Sequence, residues 1–238
     1  MKVALVLLDE TRYSGFDFAD MGANFLRKTF QDMGEAIEFD KFEYIVNGEL
    51  PDPLEYGLVY LTGSKKDSYE ETPFNDKLIE FIRDACSQNV KILGICYGHQ
   101  IIARSMGFKT AVNPLGWELG NHTVQLSEED QRKLGVDFDE YTISMIHQDI
   151  VTGDSERFVG STEKCGIQGI TVENVLTFQG HPEFTSDLVL EMSKKKLQEA
   201  EIDREHFNDI VERSQLLEDG MDDNGNKRLR EIVYKFVL

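Results

Sequence analysis

Cys96 and His181 are the two side chains of this sequence whose settings could do chemistry together. Cys96 lies in Lys91-Ile92-Leu93-Gly94-Ile95-Cys96-Tyr97-Gly98-His99-Gln100. There a β-branched apolar run, Val90 to Ile95, ends in Gly-x-Cys-x-Gly and a helical apolar pattern starts at once. This is the strand–elbow–helix layout that holds a nucleophile on a sharp turn, with glycine on both sides because a Cβ there would clash. The following helix aims free N–H groups and its positive end at the apex, which favours thiolate over thiol. Cys86 and Cys165 lack such a setting and read as small buried hydrophobes.

A thiol nucleophile needs a base, and the base needs a third group to orient it. Histidines stand at 99, 122, 147, 181 and 206. The best placed is in Thr177-Phe178-Gln179-Gly180-His181-Pro182-Glu183-Phe184, directly after a strand end, where sites of parallel sheets form. Pro182 keeps His181 extended, so His181 and Glu183 face one way. Glu183 can then accept a hydrogen bond from one ring nitrogen while the other meets the Cys96 sulfur. The oxyanion formed when sulfur attacks a carbonyl needs donors. The backbone N–H of Tyr97 is one candidate, and the Thr62-Gly63-Ser64 loop at a neighbouring strand end supplies the other. His147-Gln148-Asp149 follows a strand in the same way. No third ligand at sensible spacing accompanies it, so it reads as pocket or supporting structure rather than a metal site. His122 and His206 read as ordinary surface positions.

The elements that must position these residues follow from periodicity. Val3 to Leu8 reads as a strand buried on both faces, Phe16 to Met33 as an amphipathic helix, and Ala36 to Val46 as an alternating strand closed by Asn47-Gly48. Leu58 to Thr62 is a short apolar strand and Pro73 to Cys86 an amphipathic helix with proline in its first turn. Beyond Gly107 short strands are expected at Thr123 to Leu126, Tyr141 to Ile146, Gly166 to Val172 and Val175 to Gln179, the last two joined at Glu173-Asn174. Ser127 to Leu134 reads as a helix capped by Ser127 with Asp130 at its third position. From Ser186 onward helices are expected to about Ala200, from Asp203 to about Leu217 and from about Lys227, with a polar break over Gly220 to Asn226. The order implies an α/β fold, a doubly wound and mainly parallel sheet with a C-terminal helical segment. Residues 1–238 read as one domain, with 200–238 its helical extension.

Composition limits the functions open to such a domain. The 238 residues carry 44 acidic and 25 basic side chains, a formal charge of −19, which would repel phosphate backbones and argues against nucleic acid as partner. No apolar run approaches a membrane span. The apolar start, Val3 to Leu8, is followed by Asp9-Glu10 without a small-residue cleavage site, so a buried strand explains it better than a signal. Three cysteines without metal-ligand spacing argue for a reducing compartment, the cytoplasm.

Gly94-Ile95-Cys96-Tyr97-Gly98-His99-Gln100, with Gln179-Gly180-His181-Pro182-Glu183 downstream and Leu61-Thr62-Gly63-Ser64 upstream, resembles the class I (triad) glutamine amidotransferase family. The likeness covers about Met1 to Ser186 and is greatest to the stand-alone, GMP-synthase-like branch. There Asn113-Pro114-Leu115-Gly116-Trp117-Glu118 and Glu163-Lys164-Cys165 have counterparts, and plant members are γ-glutamyl peptidases. The resemblance implies a flavodoxin-like fold, Cys96 as nucleophile, His181 as general acid/base and Glu183 as its orienting partner. It implies an oxyanion hole from the N–H groups of Ser64 and Tyr97, and a γ-glutamyl group held by Gln100 and the backbone around Trp117, Leu119 and Gly120. Many members carry a second glycine where this chain has Ser64, so the hole depends on serine fitting there. Neither a metal nor an organic cofactor is implied. The expected activity is hydrolysis of the γ-amide of glutamine or a γ-glutamyl compound, a small-molecule substrate. Alternatives are a γ-glutamyl peptidase acting on glutathione or its conjugates, and a glutamine-binding or regulatory subunit that needs a separate synthetase. A thiol enzyme of the glyoxal- or stress-handling kind ranks last, since such relatives generally lack the His-Pro-Glu block.

Overall fold

The computed structural model describes residues 1–10, 12–31, 33–217 and 227–238, the side chains of 215–217 excepted. The first half runs β1 (Lys2–Val6), a small hairpin of β2 (Arg12–Tyr13) and β3 (Phe16–Asp17), α1 (Phe18–Gln31), β4 (Glu38–Phe42), α2 (Tyr44–Asn47), β5 (Leu58–Leu61), α3 (Pro73–Ser87), β6 (Ile92–Ile95) and α4 (Tyr97–Ser105). An excursion follows: β7 (Lys109–Val112), β8 (Glu118–Gln125), α5 (Glu128–Leu134), β9 (Glu140–His147), β10 (Asp149–Thr152) and β11 (Phe158–Val159). The chain returns through β12 (Gly169–Val172) and β13 (Val175–Phe178), then ends in α6 (Ser186–Gln198), α7 (Arg204–Leu217) and α8 (Lys227–Val237).

Seven strands form the central sheet in the order β11-β12-β13-β6-β5-β1-β4. The contacts from β4 to β13 are all parallel, and β12 and β11 extend the sheet antiparallel. Numbered among themselves, the parallel strands run 2-1-3-4-5, the doubly wound order whose ligands bind outside the carboxyl ends. The alternation of β1 shows why two layers of helices are needed. Val3 and Leu5 join the core under α1 and α8, while Ala4 and Val6 join the one under α3 and α4. Both faces are therefore apolar, as a parallel sheet requires.

The α5 helix carries the expected reciprocal cap between Ser127 and Asp130, and Glu173-Asn174 joins an antiparallel pair. Other boundaries shifted. Ala36 to Val46 is a shorter strand plus the four-residue α2, which Gly48 closes in the left-handed conformation. The strand expected from Thr123 begins at Glu118 and pairs along its length with β9, because its polar first half is buried against partners rather than exposed. The antiparallel pair β7–β10 was not anticipated. Pairing, not amphipathic pattern, creates it. The tail divides: Ile202 and Ile210 pack on Leu119, while Leu229, Ile232 and Val233 of α8 enter the main core. The break expected over Gly220 to Asn226 lies outside the described residues.

Candidate active site

The turn after β6 is as tight as its glycines suggest. A Cβ on Gly94 would lie 2.5 Å from Ile102 Cδ1, and one on Gly98 2.5 Å from the carbonyl oxygen of Leu61. Cys96 between them adopts φ 53° and ψ −105°, a conformation that costs a non-glycine residue about 1–3 kcal/mol. Its N–H donates to the Phe178 carbonyl at 2.8 Å and its carbonyl accepts from Gln100 N–H at 3.0 Å, so both neighbours pay for the strain. Tyr97 opens α4, leaving its N–H without an intrahelical acceptor beside the sulfur.

His181 arrives from β13, the next strand, whose Phe178 pairs with Ile95. Its N–H donates to the Ser144 carbonyl at 2.7 Å, and its ring stacks on Phe184 with centroids 3.9 Å apart and planes at 12°. Nδ1 donates to Glu183 Oε1 at 2.9 Å. Burial disfavours the imidazolium, but the Glu183 carboxylate and then the Cys96 sulfur outweigh it and raise the pKa to about 10. All three side chains are nearly inaccessible to solvent.

The loop after β5 completes the cluster. A Cβ on Gly63 would fall 2.8 Å from His181 Cε1 and 3.5 Å from Cys96 Cβ, so glycine is required there by space. Neither Gly63 nor Ser64 has a positive φ, and Ser64 therefore holds its place without needing glycine's freedom. Asp9 Oδ2, three residues beyond β1, accepts from Lys65 N–H at 2.7 Å and pins the loop from outside.

A cavity of about 370 Å³ opens over these groups. Gln100 and Trp117 line it, as do His147, Gln148 and Asp149. Gln100 Nε2 donates to the carbonyl of Asp149 at 3.1 Å and to Gln179 Oε1 at 3.2 Å. Leu119 and Gly120 lie behind the wall. The Leu119 side chain packs on Ile202 and Ile210, its carbonyl lies 3.0 Å from His122 Nε2, and Gly120 faces Ile210 at φ 86°. His122 corrects the surface expectation: four-fifths buried by its side chain, it also meets Arg213, and burial lowers its pKa to about 4. Cys165 is buried, with its thiol pushed up to about 12 by desolvation. Among the described residues no group of three or more His, Cys, Asp or Glu side chains could hold a metal ion.

Sequence reasoning missed the platform beneath this cavity. Glu118 is buried and lies 3.0 Å from His147 Nε2, 2.6 Å from Thr162 Oγ1 and 3.1 Å from Gln168 Nε2. Desolvation opposes its charge, yet His147 and Thr162 hold its carboxyl down to about 2. His99, behind Cys96, lies 2.7 Å from Thr177 Oγ1 and is kept neutral, with burial lowering its pKa to about 3. No periodic signal marks Glu118, because its partners lie remote along the chain.

The glutamine amidotransferase class-I family profile matches residues 19–198, which contain Gly63, Ser64, Cys96, Gln100, His181 and Glu183. The chain belongs to the class-I glutamine amidotransferase family. A Saccharomyces cerevisiae protein named for the same family is 34% identical over 252 residues, covering 99% of this amidotransferase-family chain and 97% of that one. Gamma-glutamyl peptidase 2 of Arabidopsis thaliana is 32% identical over 208 residues, 84% of this chain and 78% of that one. The crystal structure of a glutamine amidotransferase from Thermotoga maritima superposes with a TM-score of 0.69 at 23% identity, covering 99% and 97% of the two chains, and shares its fold. No helix among the described residues is long and apolar enough to cross a membrane.

Proposed function

We propose that the protein hydrolyses γ-glutamyl amides through a Cys96–His181–Glu183 triad. The observation that carries the reading is the convergence of Cys96 and Glu183 on one buried imidazole whose cation both stabilise. An imidazolium beside sulfur favours the thiolate. The thiolate attacks the γ-carbonyl, and the tetrahedral oxyanion takes hydrogen bonds from the N–H groups of Tyr97 and Ser64. As the C–N bond breaks, His181 gives its Nε2 proton to the departing amine or ammonia. Water, deprotonated by the now neutral imidazole, attacks the γ-glutamyl thioester, and glutamate leaves as sulfur regains its negative charge and His181 its proton. Gln100 and Trp117 hold the amino-acid end, with Leu119 and Gly120 supporting that wall from behind. No step calls for a metal or organic cofactor.

Glutamine and γ-glutamyl peptides such as glutathione both fit this chemistry. The likeness to a gamma-glutamyl peptidase favours trying the peptide as well as the amide. A separate synthetase that receives the ammonia is the third reading. Three free cysteines suit a reducing, cytoplasmic setting. Labelling with a diazo-ketone glutamine analogue and peptide mapping tests the assignment. Modification of Cys96, blocked by excess glutamine or glutathione, supports it, and label on Cys86 or Cys165 overturns it.

A further inference from the structure

We propose that Asn75 and the Tyr97 hydroxyl form a strut that sets the distance between the two oxyanion donors. The inference rests on the oxyanion reading above and extends it to two side chains that touch no substrate. Ser64 sits on the loop between β5 and α3, Tyr97 at the start of α4, and the two elements come from neighbouring strands. The sheet seats the strand ends and Asp9 holds Lys65 N–H, but neither ties the farther part of the loop to the elbow helix. The strut does. Tyr97 is fully buried, and its hydroxyl donates to Asn75 Oδ1. Asn75, the third residue of α3 and 1% exposed, turns its Nδ2 back to the loop, within 3.1 Å of the Asp67 carbonyl, 3.3 Å of Ser68 and 2.8 Å of Glu70. Arg104, two turns along the same helix as Tyr97, donates to the carbonyls of Ser68 and Glu70.

One residue therefore contributes twice. The backbone N–H of Tyr97 is a donor to the oxyanion, and its side chain holds the loop that carries the other donor. Asp9 fixes Lys65 N–H, directly after Ser64, and Asn75 fixes residues 67–70 beyond it, so the segment leaving the Ser64 peptide is held at two points. A buried amide whose carbonyl oxygen and amino group are both used is an expensive arrangement to disturb, and removing one partner leaves the other unpaired. Because the oxyanion exists only in the transition state, loosening the donors lowers kcat while leaving substrate affinity nearly unchanged. Asn75 and the Tyr97 side chain are thus positioning residues.

Tyr97→Phe keeps the ring and removes only the hydroxyl; Asn75→Ala removes the amide and serves as the harsher companion. Steady-state hydrolysis of glutamine and glutathione, alkylation of Cys96 by iodoacetamide, and hydrogen exchange of amides 64–70 are measured on the full chain. We expect kcat to fall roughly 10- to 100-fold, the loss typical of a misplaced catalytic group, with KM and the alkylation rate unchanged and exchange in the loop accelerated. Alkylation needs thiolate but no oxyanion hole, so a folding defect or a damaged elbow would slow it too. An unchanged kcat in an active enzyme, or kcat and alkylation falling together, overturns the strut. Should the wild type turn over neither substrate, the hydrolase reading fails, and exchange decides the strut by itself: loosening of 64–70 upholds the mechanical link, and its absence removes that as well.

Discussion

Replacing Gly63 by alanine asks whether the imidazole must stay where it is. Gly63 has no positive φ, so its backbone accepts a side chain and the obstacle is space alone. The new Cβ would lie 2.8 Å from His181 Cε1 and 3.6 Å from Nε2, and the ring must retreat by about 0.6 Å to reach ordinary contact at 3.4 Å. Little room exists for that. The ring is stacked on Phe184 at 3.9 Å, bonded to Glu183 at 2.9 Å, and its backbone N–H is held by Ser144. A shift of this size from an attack-ready geometry costs roughly 10- to 100-fold in rate, or about 1.4–2.7 kcal/mol of barrier. Overpacking the site adds about 1–3 kcal/mol of lost stability. The assay is glutamate release from glutamine and from glutathione, with kcat and KM separated and thermal unfolding followed in parallel. Ser64→Gly is the control, because it keeps the N–H and adds no atom. We expect kcat to drop for Gly63→Ala with KM within about 2-fold, and Ser64→Gly to stay near wild type. A folded Gly63→Ala enzyme with undiminished kcat would refute the claim that Gly63, Cys96 and His181 meet at one point.

Glu183→Gln removes the largest influence holding the His181 proton, while burial, which opposes the cation, remains. The His181 pKa must therefore fall, and the alkaline limb of kcat/KM against pH should move to lower pH; an unmoved limb would show that Glu183 does not act on His181. Acid stability follows from two kinds of buried group. Glu118, lowered from 4.5 to about 2, stabilises the fold above the unfolded value and loses that contribution as pH falls through about 2. His99 and His122, lowered from 6.5 to about 3 and about 4, stay neutral when the unfolded chain is protonated, so stability should decline from pH 6.5 downward. Urea midpoints from pH 7 to pH 3 check this, and His122→Gln should flatten the upper part of the decline.

The elbow around Cys96 and the pairing of His181 with Glu183 were legible because their constraints are local. Gly94 and Gly98 flank Cys96 because backbone and side chain approach within a methyl's width, and such a demand leaves its mark within five residues. The Pro182 spacing likewise put His181 and Glu183 on one side, and a 2.9 Å bond joins them. The Ser127 cap and the Glu173-Asn174 turn were readable for the same reason. What only the tertiary structure decided are pairings between remote residues with no periodic signature. Glu118 is a surface residue by type, and it is buried because His147 reaches it from the end of β9 and Thr162 and Gln168 from the connection between β11 and β12. His122 looked exposed until Arg213, from a helix far along the chain, closed over it. The sequence placed a helix from about Lys227; it could not tell that its apolar face would meet α1 on the same side of the sheet, with Tyr234 edge-on to Phe30 at 5.8 Å. Sequence determines what each residue needs, and only the folded chain determines which distant partner supplies it.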